Sequence, residues 1–208
     1  MIIGAGGFGR ELITYIQEIN QVEPTWKFLG FIDDNCMETP EGYPVLGGID
    51  TLLNMEPKPC FVIAIANSLL RENIANRCLQ AGLQAATIIH PSCRISAKCT
   101  IGEGTILCRE CNVNTNASLG RFCIVNNACG FGHDAVVGDY NSFMSRTLIA
   151  GETTIGNHCY FGLRCTMINL VRVVDQCTFG ACSCIVKDAI EPGTYVGVPA
   201  VLKKPLVK

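Results

Sequence analysis

Charged residues are scarce in this sequence: they make up 16% of its 208 residues, and the formal net charge is only −2. Because nucleic-acid binding needs clustered Lys and Arg and the chain has no basic stripe, we expect no nucleic-acid partner. Long apolar runs are also missing. The longest, CFVIAIA at 60–66, is far shorter than the roughly 20 residues that a membrane-spanning helix needs, so we expect no membrane partner.

A secretory signal is not visible at the start of the sequence, where glycine appears at position 4 and Arg10 and Glu11 follow soon after. A cytoplasmic location is therefore expected, in which thiols stay reduced. The chain has 14 cysteines. Close pairs such as Cys108 and Cys111 are compatible with a structural zinc site, but no second pair with zinc-ligand spacing accompanies them, so we expect neither a metal nor disulfides.

The sequence does contain a six-residue repeat. Every sixth residue from Ile89 to Ile185 is apolar, at 17 successive positions. Four places after these residues the side chain is small or β-branched, except at Asn141. Eight of these small positions are cysteine: Cys93, Cys99, Cys111, Cys123, Cys129, Cys159, Cys165 and Cys177. A period of six fits neither a helix nor a simple strand and is typical of a parallel β-helix built from hexapeptides.

The repeat explains most of the cysteines as packing groups. The apolar stack fills a narrow prism, and the place four residues later accepts only small side chains, where a free thiol acts as a small hydrophobe. Glycines directly follow seven of the stack residues, as tight corners require. We predict an all-β parallel β-helix domain over residues 88–208, with a C-terminal tail.

Residues 1–87 predict a small Rossmann-like α/β domain with a parallel sheet. The stretch IIGAGGFGRELITYIQEI combines a short strand, a glycine turn and a helical pattern, and FLGFIDD and CFVIAIA indicate two further strands, the last followed by a helix over about 68–81. The turn contains Gly4, Gly6, Gly7 and Gly9, whose backbone can approach an anion at a helix N-terminus. One alternative is an NAD-binding domain, but fewer than 90 residues supply only one mononucleotide half, so a nucleoside diphosphate fits better.

Three polar residues are candidates for holding that nucleotide. Asp33 and Asp34 end the second strand, where they can accept hydrogen bonds from ribose or base or, alternatively, cap the following turn. Asn67 follows the third strand, at the carboxyl edge where such sheets bind ligands.

His133 is the candidate base among three histidines. It lies two residues after the stack residue Phe131, where a side chain leaves the prism. An outward histidine is by default merely solvated, but imidazole can also accept a proton near neutral pH. Asp134 next to it either orients the ring or serves only as a turn carboxylate.

The combination of a glycine-rich α/β domain and a hexapeptide β-helix resembles a group of bacterial sugar acetyltransferases. This group includes UDP-4-amino-sugar N-acetyltransferases and sialic acid O-acetyltransferases. The motifs that carry the resemblance are IIGAGGFGRE at 2–11, GFIDD at 30–34, HPSCRIS at 90–96, GHDAVVGD at 132–139 and YVGVPA at 195–200. The resemblance implies a left-handed β-helix, a homotrimer, acetyl-CoA between neighbouring subunits and the nucleotide of the acceptor sugar in the first domain.

The resemblance also implies roles for particular residues. His133 is then the general base, with Asp134 beside it, and Gly151 offers its N–H to the thioester oxygen. Asn126 holds the acceptor. Leu163, Ala181 and Gly197 lie along acetyl-CoA. The predicted activity is transfer of acetyl from acetyl-CoA to the amine of a UDP-linked amino sugar, without a metal; O-acetylation of a sialic acid and a non-catalytic nucleotide-sugar-binding protein remain alternatives.

Overall fold

The computed structural model describes residues 1–39 and 41–206, so the end of the predicted C-terminal tail, 207–208, lies outside the described residues. The chain divides into two compact units, Met1–Pro91 and Ser92–Lys208. The longest helix has 16 residues, and none in the described ranges could span a bilayer.

The first unit is built on a three-stranded parallel sheet with strand order β2-β1-β3. The strands are β1 (Ile2–Ile3), β2 (Phe31–Ile32) and β3 (Val62–Ile63), and the helices are α1 (Gly7–Val22), α2 (Ile49–Leu53) and α3 (Ser68–Gln80). All six strand residues are buried, as expected for a parallel sheet covered on both faces. Helix α1 buries the apolar face that its sequence pattern predicts, Leu12, Ile13, Ile16 and Ile19.

The first unit extends to Pro91, whereas the sequence places the boundary after residue 87. His90 explains the difference. Its Nε2 lies within hydrogen-bond distance of a carboxylate oxygen of Glu18 in α1, and its ring contacts the edge of Tyr15 at 5.7 Å between centroids. These contacts hold the segment around the short strand Ile88–Ile89 to α1.

The second unit is a three-sided parallel β-solenoid, whose sides we call walls A, B and C. The wall A strands are Ile106–Leu107, Ile124–Val125, Ser142–Phe143, Tyr160–Phe161, Cys177–Phe179 and Gly193–Val196, with Val201–Pro205 added antiparallel at its end. The wall B strands are Arg94–Ile95, Asn112–Val113, Gly130–Phe131, Leu148–Ile149, Thr166–Met167 and Cys184–Ile185. The wall C strands are Thr100–Ile101, Ser118–Leu119, Val136–Val137, Thr154–Ile155 and Arg172–Val173.

Three hexapeptides form each coil, so pairing along a wall joins residues that are 18 apart, as in Phe131 with Ile149. Inside wall A, aromatic rings stack from coil to coil: Phe143 lies 4.8 Å from Phe161, and Phe161 lies 4.8 Å from Phe179. Tyr195 continues this stack at 5.3 Å from Phe179, beyond the end of the hexapeptide pattern. It pairs with Phe179 across a shorter step, which is why a search for six-residue periodicity does not find it.

All 14 cysteines are free thiols. Of the eight at the small position, Cys93 and Cys99 are half-buried and the other six are buried. These thiols do more than fill space, because seven of the eight donate to a carbonyl 15 residues later, as Cys165 does to Gly180 O at 3.0 Å. Thr105 makes the same bond to Gly120 O at 2.8 Å. The small position therefore selects a short side chain that can also donate a hydrogen bond.

Candidate active site

The corner between walls B and C carries a paired imidazole and carboxylate. His133 Nδ1 lies 2.8 Å from Asp134 Oδ2, and the other carboxylate oxygen of Asp134 accepts the side-chain amide of Asn116 at 2.9 Å. The hydrogen bond from Asn116, and then that from His133, hold the pKa of the Asp134 carboxyl below its ordinary value. Asp134 is thus kept ionised, and an Nδ1–H donated to it leaves Nε2 of His133 as the ring's proton acceptor.

The pair is open to ligands, with 61% of the His133 side chain and 49% of the Asp134 side chain exposed. The left-handed corner conformation of Asp134, with φ 58°, turns it back beside the ring.

Asn116 is a residue that sequence reasoning missed. It could have been found by stepping back one 18-residue coil from Asp134 along the same corner.

Gly151 lies directly beside the imidazole. A Cβ at this position would be 2.7 Å from His133 Nε2 and 2.9 Å from the His133 carbonyl oxygen. Gly132 faces Gly151 in turn, since a Cβ on Gly132 would overlap the Gly151 nitrogen. The two glycines therefore leave an open strip of backbone beside Nε2.

The backbone N–H of Gly151 has no hydrogen-bond acceptor among residues 1–39 and 41–206. At the corner between walls C and A, the N–H groups in the same place of three successive coils donate to side chains of the next coil. Arg121 N donates to Asp139 at 2.8 Å, and Asp139 N donates to Asn157 at 2.7 Å. The contrast leaves the Gly151 N–H available to an oxygen of a bound ligand.

Three other predicted site residues lie at a different corner, between walls A and B. They are Asn126, Leu163 and Ala181. Asn126 Oδ1 accepts the Ser145 hydroxyl at 3.1 Å and the Asn127 N–H at 2.7 Å, while Leu163 and Ala181 are exposed. Gly197 follows the last wall A strand with φ 105° and donates its N–H to Ser183 Oγ at 3.3 Å. Within one chain, the structure does not bring these residues together with His133.

The first unit gathers the glycine turn and Asp33 at the carboxyl ends of its strands. Asp33 Oδ2 accepts the Ala5 N–H at 2.9 Å, so the end of β2 ties down the turn that follows β1. Gly4 adopts φ 102°, and a Cβ on Gly9 would overlap the Gly4 carbonyl oxygen. Both glycines are thus needed for α1 to start this close to β1. Gly6 is the N-cap residue of α1, and neither Gly6 nor Gly7 has any neighbour within 4 Å of an added Cβ.

A pocket of about 370 Å³ opens at this edge of the sheet, and Gly4, Asp33 and Asp34 line it. Asp33 Oδ1 accepts the Asn35 N–H at 2.9 Å and so caps the following turn, which is the alternative considered for this pair. Asp34 Oδ1 accepts the Ile49 N–H at 2.9 Å at the start of α2, and no backbone N–H in the described part of the chain donates to its second oxygen. Asn67 is the N-cap of α3, where its Oδ1 accepts the Leu70 N–H at 2.9 Å, and it does not line the pocket.

Known proteins resemble the chain in both units. Residues 1–78 match the family model described as the PglD N-terminal domain. The chain is 33% identical over 108 residues to the GDP-perosamine N-acetyltransferase of Escherichia coli O157:H7, covering 51% of this chain and 49% of that protein. It is 28% identical over 110 residues to the UDP-N-acetylbacillosamine N-acetyltransferase of Bacillus subtilis (strain 168), with the same coverage. The chain thus spans about half the length of the curated relatives it matches.

Among solved structures, the acetyltransferase domain of PglB from Neisseria gonorrhoeae FA1090, in complex with acetyl coenzyme A, matches nearly the whole chain. The identity is 27% and the TM-score is 0.89, over 99% of this chain and 97% of that chain. This likeness confirms the predicted fold, an α/β unit with a parallel sheet followed by a left-handed parallel β-helix.

Proposed function

We propose that this chain, a member of the hexapeptide-repeat group of sugar acetyltransferases, transfers an acetyl group from acetyl-CoA to the amine of a UDP-linked amino sugar. The observation that carries the proposal is the His133–Asp134 pair, with the open backbone of Gly151 beside Nε2. The names of the two curated relatives, both nucleotide-sugar N-acetyltransferases, support the reaction class. The acetyl coenzyme A bound to the Neisseria domain supports the donor.

His133 serves as the general base in this proposal. An ammonium acceptor must lose a proton before its nitrogen can attack, and Nε2 takes that proton while Nδ1–H stays bound to Asp134. The amine lone pair then forms the C–N bond at the thioester carbonyl. The C–S bond breaks as the tetrahedral intermediate collapses, and the imidazolium gives its proton to the CoA sulfur. The nitrogen releases its second proton to solvent as it becomes the amide. Transfer is direct, so no cysteine nucleophile is required.

Gly151 N–H is the proposed oxyanion donor. As the amine attacks, the thioester oxygen gains negative charge, and a preoriented donor is worth about 3 kcal/mol of barrier at such a point. The Gly151 N–H suits this role because it has no acceptor within the described part of the chain and lies next to the base.

A homotrimer would complete the site. Asn126, Leu163 and Ala181, which the family resemblance assigns to acceptor and acetyl-CoA, are at the A–B corner, whereas His133 is at the B–C corner. A cleft between two copies would join the two sets. Leu148 and Leu163, each 52% exposed, and Val136, 49% exposed, are apolar groups that a neighbouring copy would cover.

The 370 Å³ pocket at the carboxyl edge of the first sheet is the proposed site for the nucleotide of the acceptor. The second oxygen of Asp34 accepts no backbone N–H from the residues that the structure describes, which leaves it able to accept a hydrogen bond from ribose or base. The Gly4–Gly9 turn and the start of α1 would lie against the diphosphate.

The test is CoA thiol release with a UDP-4-amino sugar, a GDP-4-amino sugar, sialic acid and no acceptor. Release only with the UDP-linked amine supports the proposal. A preference for the GDP-linked amine would refute the choice of nucleotide, and release only with sialic acid would replace N-acetylation by O-acetylation. No release with any acceptor, despite nucleotide-sugar binding, would indicate a non-catalytic protein.

His133→Ala tests the base. It should lower kcat about 10²- to 10⁴-fold while leaving acetyl-CoA binding intact, because a general base typically contributes that much. Raising the pH should partly restore the rate with an amine acceptor, since more of the amine is then already deprotonated. Near-native turnover at neutral pH would remove His133 from the mechanism.

Light scattering of the same samples should give the mass of a trimer, and a monomer at micromolar concentration would refute the shared cleft.

A further inference from the structure

Two arginines occupy equivalent places on successive coils at the A–B corner. Arg146 and Arg164 are one coil apart, and both have the left-handed corner conformation, with φ 64° and 57°. Arg164 N donates to Ser145 O at 3.0 Å, which fixes the register of the two corners. Because neighbouring coils are spaced like neighbouring strands, the two Cα atoms lie about 4.8 Å apart.

Neither guanidinium has an ionic partner in residues 1–39 and 41–206. Arg121, at the corner between walls C and A, is by contrast compensated. Arg121 donates from Nε and Nη2 to Asp139 at 3.1 and 3.0 Å and lies 3.7 Å from Glu103. The hydrogen bonding to the Asp139 carboxylate raises the pKa of the Arg121 guanidinium. The A–B corner therefore presents two adjacent positive charges that the chain itself leaves uncompensated.

The same two arginines line a pocket of about 580 Å³ together with Ala128, Leu148, Thr166 and Cys182. None of the described residues that line this pocket carries a carboxylate. Leu148 and Thr166 also line a second pocket, of about 450 Å³, that reaches Gly132 and Ala150 next to His133 and Gly151. The outer face of wall B thus joins the arginine corner to the corner with the base.

We propose that Arg146 and Arg164 form a site for a phosphate group of a cosubstrate. The proposal rests on the proposed function, because both cosubstrates of that reaction carry phosphates. A guanidinium matches phosphate geometry through paired N–H donors, and one anion between two guanidiniums removes their mutual repulsion. The phosphate comes either from the CoA donor or from the nucleotide sugar, and binding measurements distinguish the two.

The experiment uses the full chain and the variants Arg146→Gln, Arg164→Gln and Arg164→Lys. Glutamine is compatible with the backbone, because Gln176 occupies the equivalent place at another corner with φ 61°. Arg172→Gln is the matched control, since it removes one exposed charge from wall C, and the Arg172 backbone N–H, not its side chain, bonds Asp188 at 2.8 Å. Isothermal titration with CoA, dephospho-CoA, pantetheine, UDP and inorganic pyrophosphate measures Kd independently of turnover.

Each glutamine variant should weaken one phosphate-bearing ligand about 10-fold relative to Arg172→Gln, with Arg164→Lys intermediate because lysine keeps the charge but loses the paired donors. Weaker CoA binding with unchanged dephospho-CoA binding identifies the 3′-phosphate. Weaker binding of both, with pantetheine unchanged, identifies the CoA diphosphate. Weaker binding of UDP alone identifies the nucleotide sugar.

An unchanged Kd for every phosphate-bearing probe would overturn the inference. A change in oligomer mass by light scattering, without a change in ligand binding, would also overturn it, since the arginines would then serve an interface. The proposed function fails separately. Arginine-dependent CoA binding without turnover of any acceptor would refute the reaction and leave the phosphate site. Turnover with unaltered Kd and KM in the glutamine variants would refute the phosphate site and leave the reaction.

Discussion

Gly151→Ala is the substitution that tests the geometry of the base most directly. The added Cβ would be 2.7 Å from His133 Nε2, 2.8 Å from Cε1 and 2.9 Å from the His133 carbonyl oxygen. Because nonbonded atoms of this size prefer about 3.5–4.0 Å, the imidazole must move by roughly 1 Å. The carbonyl oxygen is part of the backbone and cannot move away as easily as the ring. The backbone N–H of residue 151 is retained, so the substitution perturbs the position of the base and not the number of donors.

A displacement of about 1 Å at a reacting group can cost on the order of 10²-fold in rate, which corresponds to roughly 2.7 kcal/mol of barrier. We therefore expect kcat to fall by about that factor in steady-state CoA-release assays, with the thermal unfolding midpoint changed by only a few degrees. His133→Ala in the Gly151→Ala background supplies the internal control. If the base is already displaced, the second substitution should cost much less than it does alone. A double variant that loses the full product of the two effects, or Gly151→Ala with a native kcat, would refute this placement of the imidazole.

Two further outcomes follow from the solenoid interior. Asn141→Ala should lower the free energy of unfolding, measured by urea denaturation, by roughly 3 kcal/mol, because the buried Asn141 amide donates to the carbonyls of Gly138 and Gly156 at 2.8 Å. Asn141→Thr should cost less, since threonine fills the same place elsewhere in the repeat. A chromogenic thiol reagent at pH 8 should modify the exposed Cys182 quickly and Cys111 only after unfolding. Hydrogen bonding with the Cys129 thiol, together with burial, raises the pKa of Cys111 to about 12. Fast reaction of Cys111 in the folded protein would contradict the packing.

Much of the fold can be predicted from the sequence because its periodicities are local. The six-residue step assigns each side chain to the inside or outside of the prism without reference to distant residues, and the glycine turn after an apolar strand does the same for the start of α1. The predicted stack ends where the period ends, whereas the observed stack continues to Tyr195. Tyr195 was missed because it joins the stack through a shorter step that only strand pairing reveals.

The candidate site is less predictable because it depends on residues that meet across coils or across the sheet. Asn116 reaches Asp134 from the preceding coil, and Asp33 at the end of β2 reaches the Ala5 N–H after β1. Asn67 and Asp34 look alike in sequence, as polar residues after strands, but hydrogen bonding makes Asn67 a helix cap outside the pocket and leaves Asp34 within it.

The sequence by itself determined the order of the two units, the six-residue architecture of the second and the outward position of His133, because each follows from spacing along the chain. Only the tertiary structure decided which atoms those residues face. Winding the chain into coils of 18 residues brought Gly151 against Nε2 of His133, and it aligned Arg146 with Arg164 around one pocket. The winding also separated Leu163 and Ala181 from His133 by a full wall. The reason is geometric: periodicity fixes the direction in which a side chain points, whereas the distance between two side chains is fixed by coils that lie far apart in sequence.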